Sequence, residues 1–298
     1  MEEKQNKKLR ICYLGNFNNV NSNHVEEDIR SSLEELGHEV ISVHEKDVKT
    51  ILNIKADMLL FHKAGVGKYI NLDDWIIMLN HVTCKKVMWY FDPIDLIQHR
   101  EGDTETIAQY IDYGFLVDDT WRRRHKFENL YSLKEGIGTQ YEGVVRDKFK
   151  CDIAFVGSLY GARKNFVAVL KKQYGEKFKA FNGIYGQDLA DLMVSAKIVV
   201  APNFPTNEFY WSSRFYLTLG LGGFLVHPIC YGLNEEFEEG KHYAGYKGIK
   251  ELIATIDYYL ENEQERKAIQ AEGKEKCLQS STFTDRLETM LEIVQPEE

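Results

Sequence analysis

SSRFYLTLGLGGFLVHPICYGLNEEFEEGKHY, residues 212–243, places a fixed cation, a glycine-rich helix end and two turns inside one helix–strand unit. Arg214 opens a helix through Phe215, Leu217 and Leu219, which Gly220, Gly222 and Gly223 terminate before the short apolar strand 224–226. One glycine past a helix is a plain C-cap. Three so close together, followed by His227-Pro228 and a turn at Tyr231-Gly232, suit a backbone that approaches a phosphate or ribose closely. The cap remains the alternative for these glycines.

Outward from this unit, short apolar runs alternate with amphipathic stretches along the whole chain, the pattern of parallel sheets with crossover helices. In the first half, strands are expected at 9–14, 39–43, 57–61, 86–91 and 114–117, with helices near 23–36, 73–81 and 104–110. Val25, Ile29 and Leu33 keep helical spacing up to Leu36 and Gly37. In the second half, strands are expected at 153–156, 178–181, 198–201 and 224–226. The polar run 134–150, with Gly136, Gly138 and Gly143, interrupts this rhythm and reads as a boundary. The expected fold class is therefore α/β with two Rossmann-like domains, 1–145 and 146–280, and a C-terminal helix at 281–298 packing back on the first.

At 298 residues with 44% apolar composition, either domain can bury a core. Neither a long apolar run nor a basic-apolar leader occurs, so the expectation is a cytoplasmic protein without membrane insertion. Cys12, Cys84, Cys151, Cys230 and Cys277 are widely spaced with no C-x-x-C pair, and are expected to be buried free thiols. A net charge of −9 gives no general attraction to polyanions, which weighs against a nucleic-acid partner without excluding one. The basic run Arg122-Arg123-Arg124-His125-Lys126 reads as a solvated helix face.

The segment 212–243 resembles the C-terminal half of CgeB-like (spore-maturation-like) glycosyltransferases, a branch of the group-1 glycosyltransferase superfamily. The likeness rests on Arg214, Tyr216, Gly222-Gly223, Phe224-Leu225-Val226, Gly232-Leu233, Glu235-Glu236-Phe237, Gly240-Lys241 and Tyr258-Tyr259-Leu260. Upstream, 152–158 (DIAFVGS) followed by Arg163 resembles the strand and phosphate-side loop that begin the family's second domain. The resemblance implies a GT-B fold, two Rossmann-like domains facing across a cleft, with the acceptor on the first and a nucleotide-diphosphate sugar on the second. It also implies retention of configuration, which one departure puts in question: the family carries glutamate where this chain has Leu217.

Breaking an anomeric bond to a diphosphate builds negative charge on the leaving group, so the site needs cations. Arg163 and Arg214 are the first candidates, since a guanidinium grips phosphate oxygens in pairs; Lys164 and Lys241 are weaker ones. Gly157 and Ser158 lie on the phosphate-side loop, and Asn203 and Ser213 line the approach to Arg214. Gly222 and Gly223 are expected at the donor through backbone approach, with Glu235 or Glu236 reaching the ribose or Glu208 supplying a carboxylate from another direction. Tyr185-Gly186 forms a turn for the nucleobase, or Tyr185 is simply a packed turn residue. In the first domain, Gly15 is expected at the donor, where a first βα turn facing a diphosphate needs close backbone approach; on the acceptor side His62 and Asp92 stand at strand ends, with His24 and Lys63 as lesser neighbours. Asp92 before Pro93 reads as a general base or as the cap of the next helix. No His-Glu-x-x-His, cysteine pair or Asp-x-Asp occurs, so metal-independent catalysis without a cofactor is expected. The expected partners are a nucleotide-sugar donor and a hydroxyl acceptor of unspecified class. The alternatives are a sugar-nucleotide epimerase, a phage-type transferase acting on modified DNA, and a nucleotide-sugar-binding pseudoenzyme.

Overall fold

The computed structural model describes residues 8–17, 25–62, 68–204 and 208–295; His24 and Lys63 lie outside these. The chain divides into two compact units, one running up to Lys134 and resuming at Phe283, the other Glu135–Thr282. Most of the run 134–150 thus belongs to the second unit. Its backbone is tied there by bonds from Val144 N–H to Asp191 (2.9 Å) and from Arg146 N–H to Ser195 (2.8 Å). Gly143 lies so close to α6 (Gly186–Ser195) that a Cβ would sit 2.4 Å from the Ala190 carbonyl oxygen.

The first unit holds a six-stranded parallel sheet in the order β2-β1-β3-β4-β5-β6. Its strands are β1 (Arg10–Gly15), β2 (Glu39–His44), β3 (Met58–Phe61), β4 (Lys85–Tyr90), β5 (Tyr113–Leu116) and β6 (Leu130–Ser132). The connecting helices are α1 (Val25–Glu35), α2 (Leu72–His81), α3 (Gln98–Ala108) and α4 (Asp119–Arg124). Residues 12 and 14 of β1 enter one apolar cluster and residues 11 and 13 the other, so both sheet faces are buried, as a parallel sheet requires. The final helix α10 (Phe283–Val294) closes the second face, burying Leu287, Met290 and Leu291 beside Ile29 and Leu33.

The second unit repeats the plan with five strands in the order β11-β10-β9-β7-β8. These are β7 (Cys151–Val156), β8 (Phe178–Phe181), β9 (Ala196–Val200), β10 (Leu225–Pro228) and β11 (Ala244–Tyr246). Helices α5 (Ala162–Tyr174), α6, α7 (Arg214–Gly220), α8 (Ile249–Glu261) and α9 (Glu263–Ser280) cover it. Strand order reverses between β1 and β3 in the first unit and between β7 and β9 in the second. At such switch points the loops diverge to opposite faces and leave a crevice at the carboxyl ends of the strands, where ligands of open α/β sheets bind.

Candidate functional site

At the carboxyl ends of β7 and β9, the second unit gathers Gly157, Ser158, Arg163, Asn203 and Arg214 of the residues expected at the donor. Gly157 ends β7 with φ +138°, a conformation that favours glycine, and its N–H donates to the Phe181 carbonyl on β8 (2.9 Å). Ser158 follows and donates to Asn182 at 3.4 Å. Gly161, also in the left-handed region, leads into α5, whose first turn carries Arg163 and no acidic residue. From the neighbouring strand β9, Asn203 is buried and donates to the Tyr210 carbonyl at 2.6 Å.

Arg214, first residue of α7, reaches across to both loops. Its Nη2 donates to the Pro202 carbonyl at 3.3 Å, and its Nη1 would lie 3.8 Å from a Cβ placed on Gly157. Arg163 is only 7% exposed although it carries a charge. The Nε of each arginine is shut away from solvent with no hydrogen-bond partner, and among the described residues neither guanidinium has a carboxylate salt bridge. Burial, and then the like charge of Arg163, pull the Arg214 pKa down to about 10. Buried polar atoms are nearly always satisfied, so two arginines at a switch point with unpartnered Nε–H groups are candidates to bind an anion.

Beneath α7, His227 is fully buried against Phe215 (ring centroids 5.1 Å apart). Its Nδ1–H donates to the Pro228 carbonyl at 2.7 Å, which fixes the tautomer and leaves Nε2 as the acceptor. Burial holds its pKa down to about 3, with Arg214 as a further lowering influence, so the ring is neutral. The sequence marked this position only as the His227-Pro228 pair between the strand and the next turn. Its signal was a histidine at the end of an otherwise apolar strand.

Several expected residues are placed differently. Gly222 and Gly223 lie at the amino end of β10, the end opposite Arg214. There Gln270 of α9 donates to the Gly222 carbonyl at 2.6 Å, and a Cβ on Gly223 would sit 3.1 Å from the Thr218 carbonyl oxygen. Close helix packing, not approach to a ligand, explains these glycines. Ser213 precedes α7 in helical conformation and makes no side-chain cap bond. Glu235 is exposed in a short turn, whereas the adjacent Glu236 accepts from the Tyr216 hydroxyl (3.3 Å), itself an acceptor from Trp211 Nε1 (2.9 Å). Tyr185 and Gly186 open α6 after β8, with Gly186 at φ +55° and no side-chain cap. Leu217 packs against the apolar cluster that contains Tyr216 and Leu219.

In the first unit, Gly15 ends β1 so near Glu26 that an added Cβ would meet its Cγ at 2.8 Å. Glu26 accepts from the Asn16 N–H (3.3 Å), and burial raises its pKa. His44 Nε2–H donates to Asn16 Oδ1 at 3.1 Å. Glu26 and His44 were not singled out from the sequence, because neither sits in a recognisable motif and only the β1/β3 switch point gathers them. His62 has no nitrogen to spare: Nδ1–H donates to the Trp89 carbonyl (2.9 Å), and Nε2 accepts from the Tyr13 hydroxyl (2.7 Å). Burial lowers its pKa to about 4. Asp92 projects from the end of β4, exposed, with Arg100 at 3.7 Å. It does not cap α3, which begins six residues later after Ile97 without a side-chain cap. The loop beyond it is pinned from below, as the fully buried Asp118 accepts from the N–H groups of Ile94 (2.7 Å) and Asp95 (2.9 Å).

The arginines of the basic run are paired within their own unit, though two carboxylates serve three of them. Arg122 and Arg123 pair with Asp119, and Arg124 pairs with Asp95. Among the described residues no group of three acidic, histidine or cysteine side chains is arranged to hold a metal, and no helix is long and apolar enough to cross a membrane.

The family model for glycosyl transferase-like proteins matches residues 143–292, half of the chain, and takes in every strand of the second sheet. The chain belongs to the glycosyl transferase-like family. Its two parallel α/β units have the GT-B fold of group-1 glycosyltransferases, as three solved structures show. Anabaena Alr3699/HepE in complex with UDP and glucose superimposes with a TM-score of 0.69 at 12% identity, covering 97% of this chain and 100% of that one. An alpha-glucosyltransferase in complex with UDP-glucose and DNA containing an abasic site gives 0.68 at 11%, covering 96% and 99%. Sucrose-phosphate synthase from Thermosynechococcus elongatus gives 0.67 at 9%, with the same coverage. No curated protein sequence matches the chain.

Proposed function

We propose that this protein transfers a sugar from a nucleoside-diphosphate sugar to an acceptor hydroxyl, with the diphosphate held by Arg163 and Arg214. The observation that carries this reading is the pair of arginines at the β7/β9 switch point whose Nε–H groups are shut away from solvent and which, among the described residues, form no carboxylate salt bridge. In the reaction the anomeric C–O bond breaks with its electron pair leaving on the diphosphate, while the acceptor oxygen bonds to the anomeric carbon and gives up its proton. Two fixed cations facing the departing oxygens stabilise the charge that grows there, so no metal is required in this scheme. Gly157 and Ser158 approach the phosphates, Tyr185-Gly186 the nucleobase, and Glu235 or Glu236 the ribose. The first unit supplies the acceptor side through Asp92, or through Glu26 at its own switch point.

Within the group-1 superfamily we assign the chain to the CgeB-like branch on the residues 152–158, Arg163, Arg214 and 232–241. UDP sugars are the donors to test first, because the structures of Alr3699/HepE and the alpha-glucosyltransferase contain UDP or UDP-glucose. DNA as acceptor is disfavoured: the net charge is −9 and the one arginine-rich run is spent on Asp95 and Asp119. Five free cysteines suit a reducing cytoplasm. A thermal-shift screen of nucleoside diphosphates and their sugar conjugates tests the reading, since a ligand bound only by the folded state raises the unfolding temperature with concentration. If no diphosphate does so, the reading is wrong.

A further inference from the structure

Among the described residues, an aromatic ring lies over the Arg163 guanidinium. The guanidinium carbon lies 4.4 Å from the ring centroid of Tyr160, three residues earlier on the same turn. Tyr160 is 60% exposed, so the fold does not need an aromatic ring there for its core. The turn that carries it is tightly defined. Gly157 (φ +138°) and Gly161 (φ +51°) bracket Ser158-Leu159-Tyr160, and the Arg163 N–H closes it on the Tyr160 carbonyl at 3.1 Å.

We propose that Tyr160 is a positioning residue for the donor, holding the Arg163 guanidinium by its flat face so that its edge is ready for a diphosphate. This rests on the diphosphate reading above. A guanidinium stacks through its weakly hydrated face and donates hydrogen bonds in its plane, so stacking leaves the in-plane donors unspent. Among the described residues no hydrogen bond or salt bridge uses them. Arg214 carries a like charge close enough to be felt, and repulsion from it favours swinging Arg163 outward into water. The Tyr160 ring opposes that swing in the unliganded protein. Without the ring, the ligand has to order the arginine as it binds, and affinity falls by the entropy of that ordering.

The test is calorimetric titration of the full chain with UDP, and with inorganic diphosphate as a probe that does not depend on the base. Tyr160→Phe keeps the ring face and is expected to bind within twofold of wild type. Tyr160→Leu keeps bulk without the π face and is expected to bind about tenfold more weakly, with a less favourable entropy. In an Arg163→Met background, Tyr160→Leu is expected to change nothing further. Equal affinity in Tyr160→Leu and wild type overturns the inference, and so does an undiminished loss in the Arg163→Met background, which would mean that Tyr160 touches the ligand itself. Wild-type protein that binds neither UDP nor diphosphate overturns the underlying reading and this inference together. Because Tyr160 is exposed, Tyr160→Phe and Tyr160→Leu should each leave the unfolding temperature of their parent protein unchanged, which keeps a folding defect from imitating the effect.

Discussion

Replacing Arg214 by methionine is expected to stabilise the unliganded protein while destroying its grip on the donor. The pKa of Arg214 falls from its ordinary 12.5 to about 10, chiefly through burial and then through the charge of Arg163. A depressed pKa for a base means that the charged form is less favourable in the folded chain than in the unfolded one, by about 3 kcal/mol at most for this drop. At neutral pH the arginine is charged in both states, so the penalty is fully present below pH 10. It is relieved only as pH rises toward 12.5. Part of the side chain still meets water, and methionine forfeits the 3.3 Å bond to the Pro202 carbonyl, worth about 1 kcal/mol. The net gain is about 1–2 kcal/mol, which for a unit of this size raises its unfolding temperature by roughly 2–8 °C. Affinity for UDP should drop at the same time by about 10- to 100-fold, the loss of charge-assisted bonds worth about 1.5–3 kcal/mol. Scanning calorimetry without ligand and titration calorimetry with UDP measure the two effects separately. A lower melting point in the free variant would refute the unbalanced charge, and an unchanged UDP affinity would refute its use for diphosphate.

Leu217→Glu, which restores the acidic residue of the related transferases, is expected to lower stability by about 1–3 kcal/mol, because Leu217 packs on the second unit's apolar cluster. Faster transfer in that variant would instead mean that the native site has decayed. Asp92→Asn and Glu26→Gln should each leave UDP affinity unchanged, and the one that lowers turnover by tenfold or more is the acceptor-side carboxylate; if neither does, both assignments fail. Because His227 is held neutral at about 3 against an unfolded value near 6.5, the unfolded chain takes up its proton first as pH falls. Stability should therefore be constant above pH 6.5 and decline by about 2 kcal/mol per such histidine by pH 5. His227→Gln should flatten that decline in urea unfolding, and an unchanged slope would show that the ring is not kept neutral.

The two-unit architecture was legible because parallel strands buried on both faces are written as apolar runs, and the runs 9–14, 153–156 and 198–201 found their strands to within two residues at each end. The short edge strands Leu130–Ser132 and Ala244–Tyr246 escaped because three residues leave too little pattern to distinguish from a loop. The helix 104–110 was expected too short, since its first turn, Gln98–Glu101, is polar and lacks a capping side chain. Arg163 and Arg214 were readable from their positions at helix starts after strands, yet what sets them apart, buried Nε–H groups with no hydrogen-bond partner and no carboxylate salt bridge among the described residues, exists only in three dimensions.

The glycines show most clearly where sequence reasoning divides. Gly157 and Gly222 both take positive φ, and both stand next to a helix and a strand, so their local patterns are equivalent. What separates them is which end of the strand they occupy. Gly157 follows β7 and so lies at the carboxyl edge, where strand order reverses and Arg214 arrives; Gly222 precedes β10 and meets the side chains of Lys274 and Val194. A glycine's freedom to approach something closely is local, but whether that something is a ligand or a neighbouring helix is decided by the direction of the chain through the sheet. The same rule applies to Glu26 and Asp92. Glu26 stands beside Gly15 at the β1/β3 reversal, whereas Asp92 ends β4, one strand beyond it, and already has Arg100 for company. Topology thus favours Glu26 as the group whose removal stops transfer, and a turnover loss confined to Asp92→Asn would show that in the first unit the strand-end loops, not the reversal, hold the acceptor.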